Sequence, residues 1–470
     1  MPAMPYNSDK RAAILVAVAV TLSRIPFLSR NYGFDGDAWN VAYTARLIAE
    51  EGTYRYSRPP GYPIQEYVCS LLWKFGPLAL NTLTALFSAA AAMLFFMTLR
   101  ALGFPRRDGV LAAIALAFVP VIYINSTVTL DYVWALAFLV ASLFATVRGR
   151  PALAGIALGA AIGCRITSGA MIVPLGILVV ALTPRGLRLR RAASFAMFAL
   201  AVGAISYLPV IFTYGPGFFS FTDTPLPLNL RVKLILFGLT AGTWGMVGTA
   251  GLALLVTGLL IRHRKYAPPV HQEAVPTKTV FLVSAIVVAL YVTSFVRLPL
   301  EWAYLVPIVP FVLLPLYLSA PLRWSRIFSI AVIVSPFFLN SRVVGDVMTK
   351  GLLLDEISVA GPLLIDTKLK REQLESLKKV YEHVNACPGT AVILEERGTD
   401  RLRAMPPGQA GLTWEKTMTF VGALPHRERR AKASHAVTVY TLIKEEHRFV
   451  AAFVHYMDKD GNVEMRVDKF

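Results

Sequence analysis

The sequence predicts a polytopic α-helical membrane protein that ends in a small α/β domain. Three observations carry that expectation. The first is composition: 55% of the 470 residues are hydrophobic and only 16% charged, with a mean hydropathy of +0.55. A soluble chain of this length carries less apolar and more charged material. The second is a recurrence of long apolar runs from end to end, and the third is the placement of basic residues in alternate connections.

A bilayer core takes roughly 20 apolar residues per helix, with about 17 tolerated. Eleven runs approach that length: 12–28, 77–99, 109–124, 130–147, 152–164, 168–182, 193–213, 233–261, 279–296, 302–319 and 326–340. The pair 152–164 and 168–182 reads either as two thin spans or as one hairpin that does not fully cross, so the expectation is about 11 transmembrane helices, to within one or two. The first run follows Lys10 and Arg11, contains Arg24 and lacks a small-residue cleavage site, so no cleavable signal peptide is expected.

The formal net charge is +18. Its placement argues for a bilayer as partner and against nucleic acid. With a cytoplasmic N-terminus, the inside segments hold Lys10, Arg11, Arg106, Arg107, Arg148, Arg150, Arg185, Arg188, Arg190, Arg191, Arg262, Arg264, Arg323 and Arg326. That is one consistent orientation under the positive-inside rule. The loops 29–76, 125–129, 165–167, 214–232 and 297–301 then lie outside, as does everything from about residue 341. The expected organisation is a transmembrane domain over 1–345, with its first outer loop at 29–76, and a soluble extracytoplasmic α/β domain over 346–470. In the latter, 366–386 is charged with a helical period, 389–396 and 435–456 read as strands, and "FVHYMDKDGNVEMRV" reads as a hairpin turning through Asp-Gly-Asn.

Cys69, Cys164 and Cys387 show neither metal-ligand spacing nor a redox pair. A disulfide between Cys69 and Cys387 is allowed by the topology. There is no Walker loop and no Gly-rich dinucleotide fingerprint, so no nucleotide and no cofactor is expected.

The chemistry is concentrated in the first outer loop, "NYGFDGDAWNVAYTARLIAEEGTYRYSRPPGYPIQEY". A helix-compatible run from Ala38 to Glu51 follows Asp37 and is closed by Gly52, with Val41, Ala45 and Ile48 on one face. Asp37 reads as the N-cap of that helix. Paired with Asp35 near the lipid boundary, it reads equally as a general base or cation ligand. Beyond Gly52, Arg55 and Arg58 bracket Tyr56 and precede Pro59-Pro60. Arginine and tyrosine at this level anchor a loop among head groups. An arginine held by a rigid Pro-Pro turn beside two carboxylates also suits a bidentate grip on phosphate.

These residues resemble the first loop of the GT-C fold glycosyltransferases, within them the lipid A aminoarabinose transferase and protein O-mannosyltransferase-like group. Members carry an Asp-Glu pair, an Ala-Arg step, a glycine closing the helix and a basic residue before Pro-Pro. Here these are Asp37, Ala45-Arg46, Gly52 and Arg58-Pro59-Pro60, while Ala38 stands where the family has Glu and Asp35 is the nearest substitute. The resemblance implies a GT-C-like fold, with Asp37 as catalytic base and Arg58 on the donor phosphate. Asp131, opening "DYVWALAFLVASLFA", would be the acidic residue at the outer end of the family's fourth helix, and Arg165 in "GCRITSG" its outer basic residue. On their own, Asp131 reads as a helix N-cap or an outward-facing site residue and Arg165 as a snorkelling side chain. "YLVPIVPFVLLPL" resembles the family's Arg-Tyr-x-x-Pro-x-x-Pro helix start, with Ala303 at the arginine position and Arg297 as its substitute. The likeness covers 12–340 by architecture and lies motif by motif in 35–63; the C-terminal domain is outside it.

The activity so implied is inverting transfer of a sugar from a polyprenyl-phosphate-linked donor to a lipid, glycan or protein acceptor, without a metal. Two other classes compete. A transporter or flippase of a lipid-linked sugar would show charged or broken helices near mid-membrane and symmetry between halves, and neither is visible. A sensor would use the C-terminal domain to bind an external partner.

Overall fold

The computed structural model describes residues 7–28, 30–219, 226–262, 277–344, 353–386, 391–395, 404–406, 408–409, 417–421, 437–445, 448–457 and 463–469. Its helices are α1 (Asn7–Arg24), α2 (Gly36–Glu51), α3 (Pro63–Leu72), α4 (Gly76–Ala101), α5 (Arg106–Phe118), α6 (Pro120–Asn125), α7 (Tyr132–Val147) and α8 (Pro151–Cys164). They continue as α9 (Ile172–Ala181), α10 (Arg188–Tyr214), α11 (Leu228–Phe237), α12 (Thr243–Arg262), α13 (Thr277–Arg297), α14 (Val309–Ser319) and α15 (Leu322–Val334). Every expected apolar run contains helix. Among the described residues, five stretches are long and apolar enough to cross a membrane: Pro63–Ala101, Arg185–Phe218, Leu228–Ile261, Lys278–Arg297 and Trp302–Ser319. The chain is a helical membrane protein.

The runs differ in how far they become spans. Helix α1 is 18 residues long but carries Asp9, Lys10, Arg11 and Arg24. Helices α8 and α9, at 14 and 10 residues, extend only about 21 and 15 Å at 1.5 Å per residue. The run at 326–340 stops early. Pro336, without an N–H to continue the helix, follows α15, and Phe338–Val344 instead becomes strand β1, antiparallel to β2 (Leu353–Ala360). The Ser335 hydroxyl at this break donates to Trp244 O at 2.7 Å and accepts from Gly248 N at 3.0 Å, tying the end of α15 to α12.

The first loop also divides unexpectedly. Its last part, from Pro63, is already the apolar helix α3, which leaves Tyr67 and Leu71 exposed and runs through a 3₁₀ turn, with Phe75 exposed, into α4.

Helices α8 and α10 pack closely through glycines. A Cβ at Gly155 would lie 2.3 Å from the Phe195 carbonyl oxygen, and one at Gly159 2.5 Å from Val202 Cβ. Two helices meeting at backbone distance hold the end of α8, and with it Arg165, in a fixed place.

Beyond β2, helix α16 (Pro362–Ala386) is followed by β3 (Ala391–Glu395), β4 (Thr417–Val421), β5 (Val437–Glu445), β6 (Arg448–Met457) and β7 (Val463–Lys469). The sheet order is β4-β3-β5-β6-β7, with β3 parallel to both neighbours and β5, β6 and β7 antiparallel. The expected final hairpin is present as β6 and β7, paired from Met457↔Val463. Its Asp-Gly-Asn turn lies outside the described residues, as does Cys387; Cys69 and Cys164 are buried free thiols.

Candidate functional site

The first loop folds around two local devices. One is the start of α2, where Asp35, in extended conformation (φ −70°, ψ 139°), is the N-cap and accepts a 3.0 Å hydrogen bond from Asp37 N. This corrects the expectation that Asp37 caps the helix. Asp37 lies inside the first turn, and its carboxylate is released for other contacts. Trp39 Nε1 donates to Gly33 O at 2.8 Å, Val41, Ala42 and Ala45 are buried, and Gly52 closes the helix in the left-handed region (φ 65°) that glycine occupies without cost.

The second device is Glu66, a carboxylate that sequence reasoning passed over. Fully buried in the first turn of α3, it accepts from Tyr54 Oη (2.6 Å), Ser57 N (2.8 Å), Ser57 Oγ (2.7 Å) and Tyr62 N (3.2 Å). Four donors on one carboxylate gather residues 54–62 into a compact turn. Gly61 (φ 95°) passes where a Cβ would come within 3.0 Å of Tyr54 Oη, and its carbonyl accepts from Tyr207 Oη at 2.9 Å. The Pro59–Pro60 peptide bond is cis. The signal was present: a glutamate among the apolar residues of an otherwise buried helix start.

That turn presents Arg58 to the carboxylates. Its Nη2 donates to Asp131 Oδ1 at 2.5 Å and its Nε to Tyr62 Oη at 3.0 Å. Its Nη1 lies 3.3 Å from Asp37 Oδ2, yet that buried nitrogen has no hydrogen-bond partner. Asp131 stands at the start of α7 but its side chain does not cap the helix, against the simpler expectation for it. Instead its second oxygen accepts from Arg165 Nη1 at 2.6 Å. Arg165, in extended conformation (φ −160°) at the end of α8, is 5% exposed, so it is an interior ion-pair partner and does not snorkel. Aromatic faces complete the cradle. Tyr62 lies 4.3 Å from the Arg58 guanidinium, while Tyr132 and Tyr304 lie 4.1 and 4.7 Å from that of Arg165.

A cavity of about 330 Å³ opens beside this cluster. Tyr62, Arg165, Tyr291, Arg297 and Tyr304 line it, together with Pro59 and Pro60. Arg297, the expected substitute for an arginine at Ala303, lines this cavity, and Ala303 is buried. The structure therefore brings together Asp37, Arg58, Asp131 and Arg165, with Arg297 on the adjoining cavity. Asp35 is committed to the helix cap. Arg55 is exposed and Tyr56 packs on Tyr214 at 4.0 Å between centroids; among the described residues neither bonds to the cluster.

Burial pushes the Asp37 carboxyl above the usual range; Arg58 opposes this, and Asp35 and Asp131 add to it. Glu301, whose carboxylate accepts from Ala303 N at 3.1 Å, is pushed up to about 7, chiefly by burial and then by Asp35, against Arg58 and Arg165. A carboxyl raised from 4.5 to about 7 on folding stays protonated in the native state while the unfolded chain ionises. Stability then falls as pH rises across that window and levels off above it. Thermal unfolding in detergent should accordingly show a midpoint lower at pH 8 than at pH 5, with a smaller difference in Glu301→Gln; equal slopes in both proteins would remove Glu301 as a source.

Among the described residues no group of three or more His, Cys, Asp or Glu could hold a metal ion. The gathered charges are carboxylates set against guanidiniums. Compared with models of known families and with curated proteins, the chain matches none.

Proposed function

We propose that this chain is a GT-C-like glycosyltransferase that moves a sugar from a polyprenyl-phosphate-linked donor to a lipid, glycan or protein acceptor on the outer side of the membrane. The observation that carries the reading is Nη1 of Arg58, buried without a hydrogen-bond partner and 3.3 Å from Asp37 Oδ2, in a turn whose Pro59, Pro60 and Tyr62 line a cavity with two further arginines. An anion and a base are wanted at adjacent points in such a transfer. Asp37 takes the proton of an acceptor O–H or N–H, whose lone pair forms the new bond to the anomeric carbon. The bond from that carbon to the phosphate oxygen breaks from the opposite side, and the leaving oxygen keeps the electron pair. Arg58, Arg165 and Arg297 stand where the phosphate charge grows. A raised pKa makes Asp37 a better proton acceptor than an ordinary carboxylate.

The same reading holds that about eleven helices cross the membrane over 1–345, and that the domain 346–470 shares the outer side with the first loop. Supporting it, Asn31 Nδ2 of the first loop donates to Lys370 O of α16 at 2.9 Å. Impermeant thiol reagents on whole cells should label Thr53→Cys and Glu375→Cys but spare Leu189→Cys, in a background with Cys387 replaced; a labelled Leu189→Cys beside an unlabelled Thr53→Cys would invert the orientation.

Purified protein with a polyprenyl-phosphate sugar and acceptor should form product, and chelator should leave the rate unchanged, since guanidiniums already face the developing charge. Arg58→Lys should retain more activity than Arg58→Ala, because the charge survives while the fork is lost. Normal donor use by Arg58→Ala would end the assignment. Movement of intact donor across vesicles without product would favour a flippase.

A further inference from the structure

We infer that helix α16 sets the geometry of the site, with Gln373 and Lys370 as positioning residues that hold Asp37 and Asp131 in register about Arg58; this rests on the glycosyltransferase reading. The two carboxylates that meet Arg58 come from separate segments. Asp37 follows residues 31–35, and Asp131 follows residues 127–130. Helix α16 is hydrogen-bonded to both.

Gln373 and Lys370 are each 2% exposed, on a helix otherwise rich in exposed charge. Polar side chains so deeply buried are costly unless every group is engaged, and here the engagement is directional. Gln373 Nε2 donates to Phe34 O at 3.1 Å, one residue before the cap Asp35. Gln373 Oε1 accepts from Asn31 Nδ2 at 3.0 Å, and the same nitrogen donates to Lys370 O. Lys370 Nζ, ion-paired to Asp366 at 2.7 Å, donates to Thr127 Oγ1 at 3.1 Å.

The two segments are then laced to each other. Asn81 Nδ2 donates to Asn31 O at 2.9 Å, Thr129 Oγ1 donates to Asn81 Oδ1 at 2.8 Å, and Thr129 N donates to Tyr32 O at 2.8 Å. Thr129 is two residues from Asp131. A short polar relay therefore runs from α16 to the residue before one carboxylate's helix cap and to the strand of backbone leading into the other. Misplacement of a reacting group by about 1 Å costs on the order of 10² in rate, so loosening this relay should be read in turnover before it is read in binding.

The test uses the full chain carrying Gln373→Leu, Gln373→Glu or Lys370→Met, with the exposed Glu375→Ala as control. Three readouts are taken: thermal midpoint, amide hydrogen exchange over 31–41 and 54–66, and steady-state transfer. Expected for Gln373→Leu is exchange over 31–41 faster by roughly tenfold, unchanged exchange over 54–66 where Glu66 holds the turn, and kcat lower by roughly tenfold with donor KM within about twofold. Gln373→Glu, which keeps the acceptor for Asn31 and loses the donor to Phe34, should fall between, and it decides the matter should Gln373→Leu not fold. Unchanged exchange over 31–41, unchanged kcat in a folded variant, or equal loosening of 31–41 and 54–66 would each overturn the inference. If the wild-type protein transfers no lipid-linked sugar, the functional reading fails, and the exchange arm alone still decides whether α16 orders the segment before Asp37.

Discussion

Asp37→Asn is expected to give a folded protein that binds donor and turns over roughly 10² to 10⁴ times more slowly. The structure sharpens this expectation because the helix cap is Asp35. Replacing Asp37 by Asn removes no capping group. It also leaves Arg58 bonded to Asp131 and Tyr62, so the fold of the turn survives. What disappears is the carboxylate, 3.3 Å from Arg58 Nη1, that the proposed transfer uses as base. The matched change Asp35→Asn keeps a side chain that caps well and should cost about 1 kcal/mol or less, with activity largely retained. Transfer rates of the two purified proteins decide between them: an active Asp37→Asn beside an inactive Asp35→Asn would reverse the assignment.

Asp131→Leu should destabilise the protein by about 3–5 kcal/mol, since it strands the buried Arg165 guanidinium and takes from the half-buried Arg58 the carboxylate the two now share. Activity should be lost with it. The double change Asp131→Leu with Arg165→Met tests where that loss comes from. Replacing a buried ion pair by apolar side chains is often neutral for stability, so most of the unfolding midpoint should return while transfer stays absent, Arg58 having lost its anchor and the cavity its second cation. Midpoints and rates measured on the single and double variants separate the two effects. A single Asp131→Leu protein as stable as wild type would mean that this ion pair does not close the site.

Much of the site is legible in the amino-acid sequence. Asp131, Arg165 and Arg297 are each marked as a charged residue at the edge of an apolar run, where ionised groups are rare enough to ask for a reason, and Asp37 and Arg58 are marked by the pattern of the first outer loop. Their pairing is not legible there. Whether Asp131 caps α7 or receives two arginines depends on where the ends of α7 and α8 and the turn at 54–62 arrive in space, and nothing within a few residues of Asp131 says so. The assignment of the cap failed for a narrower reason. Asp35 and Asp37 are equally good capping residues by type, and the structure starts the helix at Gly36 with Asp35 accepting from Asp37 N. Arg55 and Tyr56 look from the sequence like Arg58, three residues on. Glu66 folds the turn so that Arg58 faces the carboxylates while Tyr56 lies on Tyr214.

The sequence by itself determined that the chain is a helical membrane protein with α/β elements after its last apolar helix, because apolar length and side-chain period are local quantities that a bilayer and a hydrogen-bonded backbone read directly. It also determined the helix of the first loop and its glycine stop. Only the tertiary structure decided which carboxylate caps α2 and which meets Arg58, which arginines share Asp131, and that α16 bonds to both segments leading to the carboxylates. Those outcomes rest on hydrogen-bond distances between residues far apart in the chain, and such distances are set by how the helices pack.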